Sequence, residues 1–478
     1  MYDVLILGCG ITGAAAAFEL SKYQLSVAVL ERENDVACGT TKANSAILHA
    51  GYDPEPGSLM AKLNVRGSAL AKTLCAALDV PYRNTGSLVA GFSEADQAAL
   101  RRLYEKGNAN GVPGVELLTG EQARNLEPNL SREVTAALWA PSAAIVSPWE
   151  YALALIETAV QNGVQLYRNA AVTGLAPVPG GWRAETSAGV FEGKFVLNAA
   201  GVQAGALHDL AAPHSFNISP ARGQYHLLDK SEGERVGRVI FQCPGPHGKG
   251  VLVAPTVHGN IIVGPSSEPV EGEDTATTAA GLARVKATAQ KSVPSIYFRA
   301  DIRSFAGVRA VADTGDFVIG QAAPGFFDLA GICSPGLSAA PAVAEYAAGL
   351  LGAAGLELTP KTDFRVSRHR VRFKDLSPAE KAALVAKNPD YGRVICRCET
   401  VTEGEILDAL HTPVPPVSVD GVKRRVNAGM GRCQGGFCAP RVVELLCREL
   451  GLSPLDVVQD RAGSWLLDRE TKGGVGRV

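Results

Sequence analysis

Gly8-Cys9-Gly10-Ile11-Thr12-Gly13 is the stretch that decides the fold of this chain. It stands between a short apolar run, Val4-Leu5-Ile6-Leu7, and an Ala-rich segment of high helix propensity, Ile11 to Tyr23. A second apolar run, Leu25 to Leu30, ends at Glu31. Runs that are apolar throughout suit parallel strands covered on both faces, so the order reads strand, glycine turn, helix, strand. In that order the first glycine permits the tight turn and the second lets a pyrophosphate approach the backbone. The third lets the helix pack closely on the strand. Phosphates are drawn to the unpaired N–H groups and positive dipole at the helix N-terminus. Glu31, eighteen residues past Gly13, is placed to accept hydrogen bonds from ribose hydroxyls. A glycine turn with no ligand is the alternative. Both strands, the helix and the acid in register favour a dinucleotide site.

Outward from the turn, 478 residues amount to about three typical domain lengths. With 46% apolar and 20% charged residues, the chain has material for large cores and is not intrinsically disordered. Lys plus Arg number 46 against 48 Asp plus Glu, a balance that argues against a broadly basic nucleic-acid binder. Met1-Tyr2-Asp3 offers no basic region ahead of Val4, and no run of about 18 apolar residues occurs. The expectation is a cytoplasmic protein without an integral membrane segment.

The fold class expected is α/β: a Rossmann-like nucleotide lobe, an interleaved and mostly antiparallel β lobe, and a small C-terminal cysteine domain. The β lobe is drawn from about 220–300, where Tyr225–Leu228, Val239–Gln242, Gly250–Ala254 and Asn260–Val263 alternate with Pro, Gly and His turns. Residues 1–360 form the first domain, 361–392 a connector with a short helix at Pro378–Lys387, 393–450 the cysteine unit and 451–478 a tail.

Three further segments bear on the nucleotide. Cys38-Gly39-Thr40-Thr41-Lys42-Ala43-Asn44-Ser45 is small and hydroxyl-rich, suited to wrapping the pyrophosphate from the other side, with Thr40, Thr41 and Ser45 as contacts. The strand Phe195-Val196-Leu197-Asn198-Ala199-Ala200-Gly201 ends in small residues that let backbone pass close to the ligand. Gly331-Ile332-Cys333-Ser334-Pro335-Gly336-Leu337-Ser338 precedes the last Ala-rich helix, whose N-terminus can favour negative charge on a reduced flavin. In this order the segments resemble the D-amino-acid-oxidase-like flavoproteins over about residues 1–355. The resemblance implies FAD bound by Gly8, Gly10, Gly13, Glu31, Thr40, Thr41, Ser45, Ala200, Gly201, Gly336, Leu337 and Ser338.

Five of the ten cysteines lie within 52 residues. Cys396-Arg397-Cys398 is followed, after 34 residues, by Cys433-Gln434-Gly435-Gly436-Phe437-Cys438. Two soft ligand pairs suit a metal centre. Structural zinc is an alternative, although its ligands more often come as C-x₂₋₄-C on both sides. The spacing resembles the bacterioferritin-associated-ferredoxin-like domain, which implies a [2Fe–2S] cluster on Cys396, Cys398, Cys433 and Cys438. Gly429, Gly431, Gly435 and Gly436 leave N–H groups free to approach the sulfurs, and Lys423, Arg424, Arg425 and Arg432 are expected to offset an anionic cluster. Cys447, on an apolar helical face, is expected to be a bystander.

The run from Val394 to Ile406, with Asp420 to Arg425 and Ala428 to Cys438, closely resembles the large subunit of anaerobic glycerol-3-phosphate dehydrogenases. Asn44 to Gly51 and Pro56 to Leu63 look as much like L-2-hydroxyglutarate dehydrogenases. Both relatives oxidise a secondary alcohol bearing an anionic group by passing hydride to FAD. The resemblance therefore implies sn-glycerol 3-phosphate as substrate, with L-2-hydroxyglutarate or another 2-hydroxy acid as the alternative. It implies a partner subunit or membrane quinone as electron acceptor, which would make this chain peripheral at the membrane. A flavin and iron–sulfur relay that oxidises no small molecule is the reading of another class. Arg309 is the candidate for the anion, since a guanidinium forms paired hydrogen bonds to phosphate or carboxylate. His49 is the candidate base. His226 and Lys249 are further candidates for the pocket, whereas His247 and His258 fall in turns and are expected to be solvated.

Overall fold

A computed structural model of the chain describes residues 1–244, 250–366 and 368–472. The first lobe is built on five parallel strands in the order Gln165–Tyr167, Val27–Leu30, Tyr2–Leu7, Gly189–Asn198 and Phe326–Ala330. Val4 pairs with Val27 on one side and Phe195 on the other. Val4 and Ile6 enter the core beneath the helices Ile11–Leu20, Pro148–Gln161 and Gly336–Ala353, while Leu5 and Leu7 enter a second core with Trp182 and Phe326. Burial of both faces is why the strand carries no polar alternation. Ala14 to Ala17 are at most 1% exposed and let the first helix approach the Ala-rich helix Gly336–Ala353. The helix Leu59–Ala77 crosses that helix at Gly67, where a Cβ would stand 2.3 Å from the Ser338 carbonyl oxygen.

The β lobe is wider than residues 220–300. Its nine-stranded sheet joins Ile218–Leu228, Val239–Gln242, Leu252–Pro255, Ile261–Gly264 and Glu268–Pro269 to Ser87–Gly91, Glu116–Thr119 and Ala136–Ala140, which come from earlier in the chain. Asp301–Ala312 pairs along the whole of Ile218–Leu228. The joint is parallel, Val239–Gln242 against Ser87–Gly91, and such a non-local pairing leaves no turn signal in sequence.

The cysteine unit packs a hairpin, Val394–Cys396 with Val401–Thr402, and the helices Glu403–Leu410, Val419–Val426 and Ala439–Leu450 around Ile406, Val422 and Leu446. Residues 457–459 are part of it. Val457 is fully buried in that core, and the Gln459 side chain donates to Asp420 at 2.7 Å. The connector is tied down by charge: Arg368 to Glu157 at 2.7 Å and Arg372 to Asp79 at 2.7 Å. Among the described residues no helix is long and apolar enough to cross a membrane.

Candidate active site

A cavity of about 1050 Å³ opens where the two lobes and the cysteine unit meet. One wall is the glycine turn. Gly8 adopts φ +95°, and a Cβ there would stand 2.8 Å from the Ala199 carbonyl oxygen. At Gly13 a Cβ would stand 2.0 Å from the Gly8 carbonyl oxygen, so the helix can start this close to the strand only without a side chain. Gly10 is looser, its Cβ position lying 3.3 Å from Thr41 Oγ1. Gly8 and Gly10 line the cavity; Gly13 lies behind it as a packing residue.

Glu31 is buried at the cavity's edge. Its two oxygens accept the Cys9 N–H at 2.7 Å and the Glu33 N–H at 2.9 Å. Burial pushes its carboxyl up to about 7, against the pull of those donors. Thr41 Oγ1 accepts the Ile11 N–H at 2.9 Å, and Thr40 donates to the Val308 carbonyl at 2.5 Å, which fixes the wrapping segment between both lobes. Ser45 shares a hydrogen bond with the Tyr225 hydroxyl at 3.2 Å. Ala200, Gly201, Gly336 and Leu337 line the cavity as well. Ser338 does not: it is fully buried, and its Oγ accepts the His49 N–H at 2.7 Å. Its place is under His49, not against the cofactor space.

His49 and Arg309 come to this one cavity from elements far apart in sequence. The His49 ring stacks on Phe241 at 5.6 Å, and Nε2 lies 3.3 Å from Ser334 Oγ. Arg309, on the strand Asp301–Ala312, donates through Nη2 to the Ser266 carbonyl at 3.3 Å and Ser267 Oγ at 3.1 Å. Arg309 Nε, Ser147 Oγ and Trp149 Nε1 are buried without a hydrogen-bond partner, and all three residues line the cavity. Buried donors are rarely left unpaired in a cavity that takes no polar ligand, so the cavity fits polar ligands.

His226 is not in the site. On a strand, alternate residues face opposite ways. Tyr225 and Leu227 line the cavity, and His226 faces the other side. There its Nδ1 meets Asp301 at 2.5 Å and its Nε2 the Leu282 carbonyl at 3.1 Å. Lys249 and His247 lie outside the described residues. His258 is not solvated. It stacks on Trp149 at 6.0 Å, its side chain is 15% exposed, and Nε2 stands 3.6 Å from Glu150. Burial lowers its pKa.

The four cysteines form two pairs, Cys396 with Cys438 and Cys398 with Cys433, the latter with sulfurs 3.6 Å apart. Among the described residues no three His, Cys, Asp or Glu side chains close on one point, as a single-ion site would need. Two thiol pairs instead suit two irons with two ligands each. N–H groups of Gly429 and Glu399 point to Cys396, and those of Gly435, Gly436 and Phe437 to Cys433. The adjacent Cys438 thiol brings Cys396 down to about 6. Cys447 is half-buried against the same core.

Of the basic residues near the cysteines, Arg424 and Arg425 are engaged elsewhere, whereas Arg432 also feels the charge of Cys398. Arg425 makes two bonds to Asp35, at 2.8 and 2.9 Å, and Arg424 makes one at 3.0 Å. Arg432 pairs with Asp229 at 2.8 Å. Charges expected to offset a cluster thus hold the cysteine unit onto the two lobes. The partner carboxylates, far away in sequence, could not be foreseen.

Comparison with known proteins fits this geometry. Residues 3–350 match the model of the FAD dependent oxidoreductase family, and residues 394–448 match that of the BFD-like [2Fe-2S] binding domain. A glycerol 3-phosphate dehydrogenase of Caloramator mitchellensis is 45% identical over 479 residues, covering 99% of this chain and 100% of that protein. An L-2-hydroxyglutarate dehydrogenase of Escherichia coli is 32% identical over 56% of this chain and 64% of its own length. The dithionite-reduced L-alpha-glycerophosphate oxidase of Mycoplasma pneumoniae with FAD bound superimposes with a TM-score of 0.72 at 33% identity. It covers 77% of this chain and 98% of its own.

Proposed function

This chain belongs to the FAD-dependent oxidoreductase family, with FAD and a [2Fe–2S] cluster as cofactors, and from that premise we propose that it oxidises sn-glycerol 3-phosphate to dihydroxyacetone phosphate. FAD, held by the glycine turn and the wrapping segment, would supply a hydride acceptor, and a cluster on Cys396, Cys398, Cys433 and Cys438 would supply a one-electron carrier toward a partner subunit or a quinone. The observation that carries the reading is Arg309, with a buried unpartnered Nε, on the same cavity as His49 and the glycine turn.

Arg309 binds the phosphate. Its Nη2 is anchored on Ser266 and Ser267, which fixes the fork and leaves Nε for an anion. His49 accepts the substrate hydroxyl proton at Nε2, its ring held by Phe241 and its backbone by Ser338. Tyr225 and Phe305, stacked at 4.9 Å, form the apolar wall that keeps water from the reacting carbon.

Anaerobic stopped-flow tests this directly. Glycerol 3-phosphate should bleach the flavin absorbance under argon. Bleaching by L-2-hydroxyglutarate alone would transfer the same residues to a 2-hydroxy acid, the reading favoured by the 32% identical relative. A flavin left oxidised by every alcohol would mean a relay.

A further inference from the structure

The cysteine unit forms part of the cavity wall as well as packing beside it. Lys423, Asn427 and Met430 line the same space as the glycine turn. Lys423, on the helix Val419–Val426, is 8% exposed. The carboxylate it pairs with, Asp420, stands 3.7 Å away, beyond hydrogen-bond length. Asn427 ends that helix with φ +63°, and its Oδ1 is buried without a partner. Burial brings the Lys423 ammonium down to about 8, with Asp420 opposing the fall and Arg303 and Arg424 adding to it. An ammonium and a buried amide oxygen carried by residues that line one cavity are costly unless something there meets them.

Their position is fixed by the neighbouring residues. Arg424 and Arg425 grip Asp35, which is fully buried and four residues past Glu31. Arg424 and Lys42 also share Asp460. The helix is therefore bolted to the stretch that carries both the ribose carboxylate and the pyrophosphate-wrapping segment.

We infer that Lys423 and Asn427 are FAD ligands supplied by the iron–sulfur unit, so that the flavin site is composite and complete only when that unit is seated. Lys423 donates to an oxygen of FAD, either a phosphate or an isoalloxazine carbonyl, and Asn427 Oδ1 accepts from an N–H or hydroxyl of FAD. By linkage, FAD then stabilises the docking of the cysteine unit as much as docking tightens FAD. None of this depends on which alcohol is oxidised.

The test uses the full-length protein, with FAD affinity read by flavin fluorescence, the flavin spectrum by absorbance, and iron by analysis. Lys423→Met should weaken FAD binding about tenfold with iron retained, and Lys423→Arg should restore part of it. Asn427→Gly, which keeps the left-handed conformation, should weaken binding about threefold. A shifted flavin spectrum in Lys423→Met would place the ammonium at the isoalloxazine. Weaker affinity with an unshifted spectrum would place it at the phosphates. Unchanged affinity and spectrum with iron retained would overturn the inference. If Lys423→Met loses iron, Asn427→Gly decides alone, and unchanged FAD affinity there overturns it.

Discussion

Along the glycine turn the cavity wall is backbone, and at the cysteine unit the wall is charged side chain. The first wall is set by close approach: Gly13 leaves no room for a methyl group against Gly8, and the strands beneath are buried on both faces. The second is set by pairing, with Asp35, Arg424 and Arg425 at most 5% exposed as side chains and ion-paired with one another. A backbone wall tolerates no added atom but needs no partner. A charged wall tolerates small shifts but fails when one partner goes, because the others are left buried and uncompensated.

The harshest way to break this comparison is Asp35→Ala. It strands two buried guanidiniums, which should cost about 3–5 kcal/mol of docking stability. The expected outcome is a lowered melting transition and faster proteolysis within the connector, residues 361–392. An unchanged melt would mean that water or Asp460 replaces Asp35.

The two walls also differ in how far the sequence announces them. A turn that demands glycine leaves glycines at fixed spacing, and Glu31 follows at the end of the next strand, so the strand, turn and helix of the first lobe were legible in the sequence. The four cysteines were legible for the same reason: ligand chemistry allows few residue types. Arg424 and Arg425 were misjudged because their role rests on Asp35, some 390 residues earlier. The β lobe was drawn too narrowly because Ser87–Gly91 joins it through a parallel pairing. His226 was a candidate because it falls in the β lobe, yet on its strand Tyr225 and Leu227 take the cavity face and His226 the other. His258 sits in a turn, as read, but Trp149 and Glu150 cover the turn.

Arg309 lies between the two kinds of wall, a charged side chain on a rigid strand. Arg309→Lys keeps the charge and loses the planar fork anchored at Ser266 and Ser267. Substrate binding should weaken by roughly 1.5–3 kcal/mol, the range for hydrogen bonds to charged groups, while FAD stays bound. Single-turnover kinetics against substrate concentration read this as a raised half-saturation with the limiting rate less affected. If the half-saturation does not move, the anion lies elsewhere.

Gly13→Ala probes the backbone wall alone. A methyl group 2.0 Å from the Gly8 carbonyl oxygen cannot be accommodated without shifting the helix Ile11–Leu20, an overpacking cost of about 1–3 kcal/mol. The protein should be isolated with little FAD and a full complement of iron, since the cysteine unit packs around a core of its own. Full flavin occupancy in this variant would show that the turn is softer than its close contacts imply.

The smallest effect concerns the charged pair that the site does not use. Burial pulls the His226 pKa down, but the hydrogen bond to Asp301, with the Leu282 carbonyl and the Asp301 charge, outweighs it. The net shift is above the ordinary 6.5. A group whose pKa is raised by folding binds its proton more tightly in the folded state. Its stabilisation is therefore complete below pH 6.5 and disappears as pH climbs through the higher folded value. The contribution should be about 1 kcal/mol or less, as for other partly solvated pairs. Glu31, pushed up to about 7, adds a slope of the same sign, so the wild-type decline with pH alone identifies nothing. Subtraction does. Denaturant midpoints measured from pH 6 to 9 should fall less in His226→Gln than in the wild type, with Glu31 common to both. If the two profiles stay parallel, the His226–Asp301 pair carries no pH dependence and the strand is held by its hydrogen-bond ladder alone.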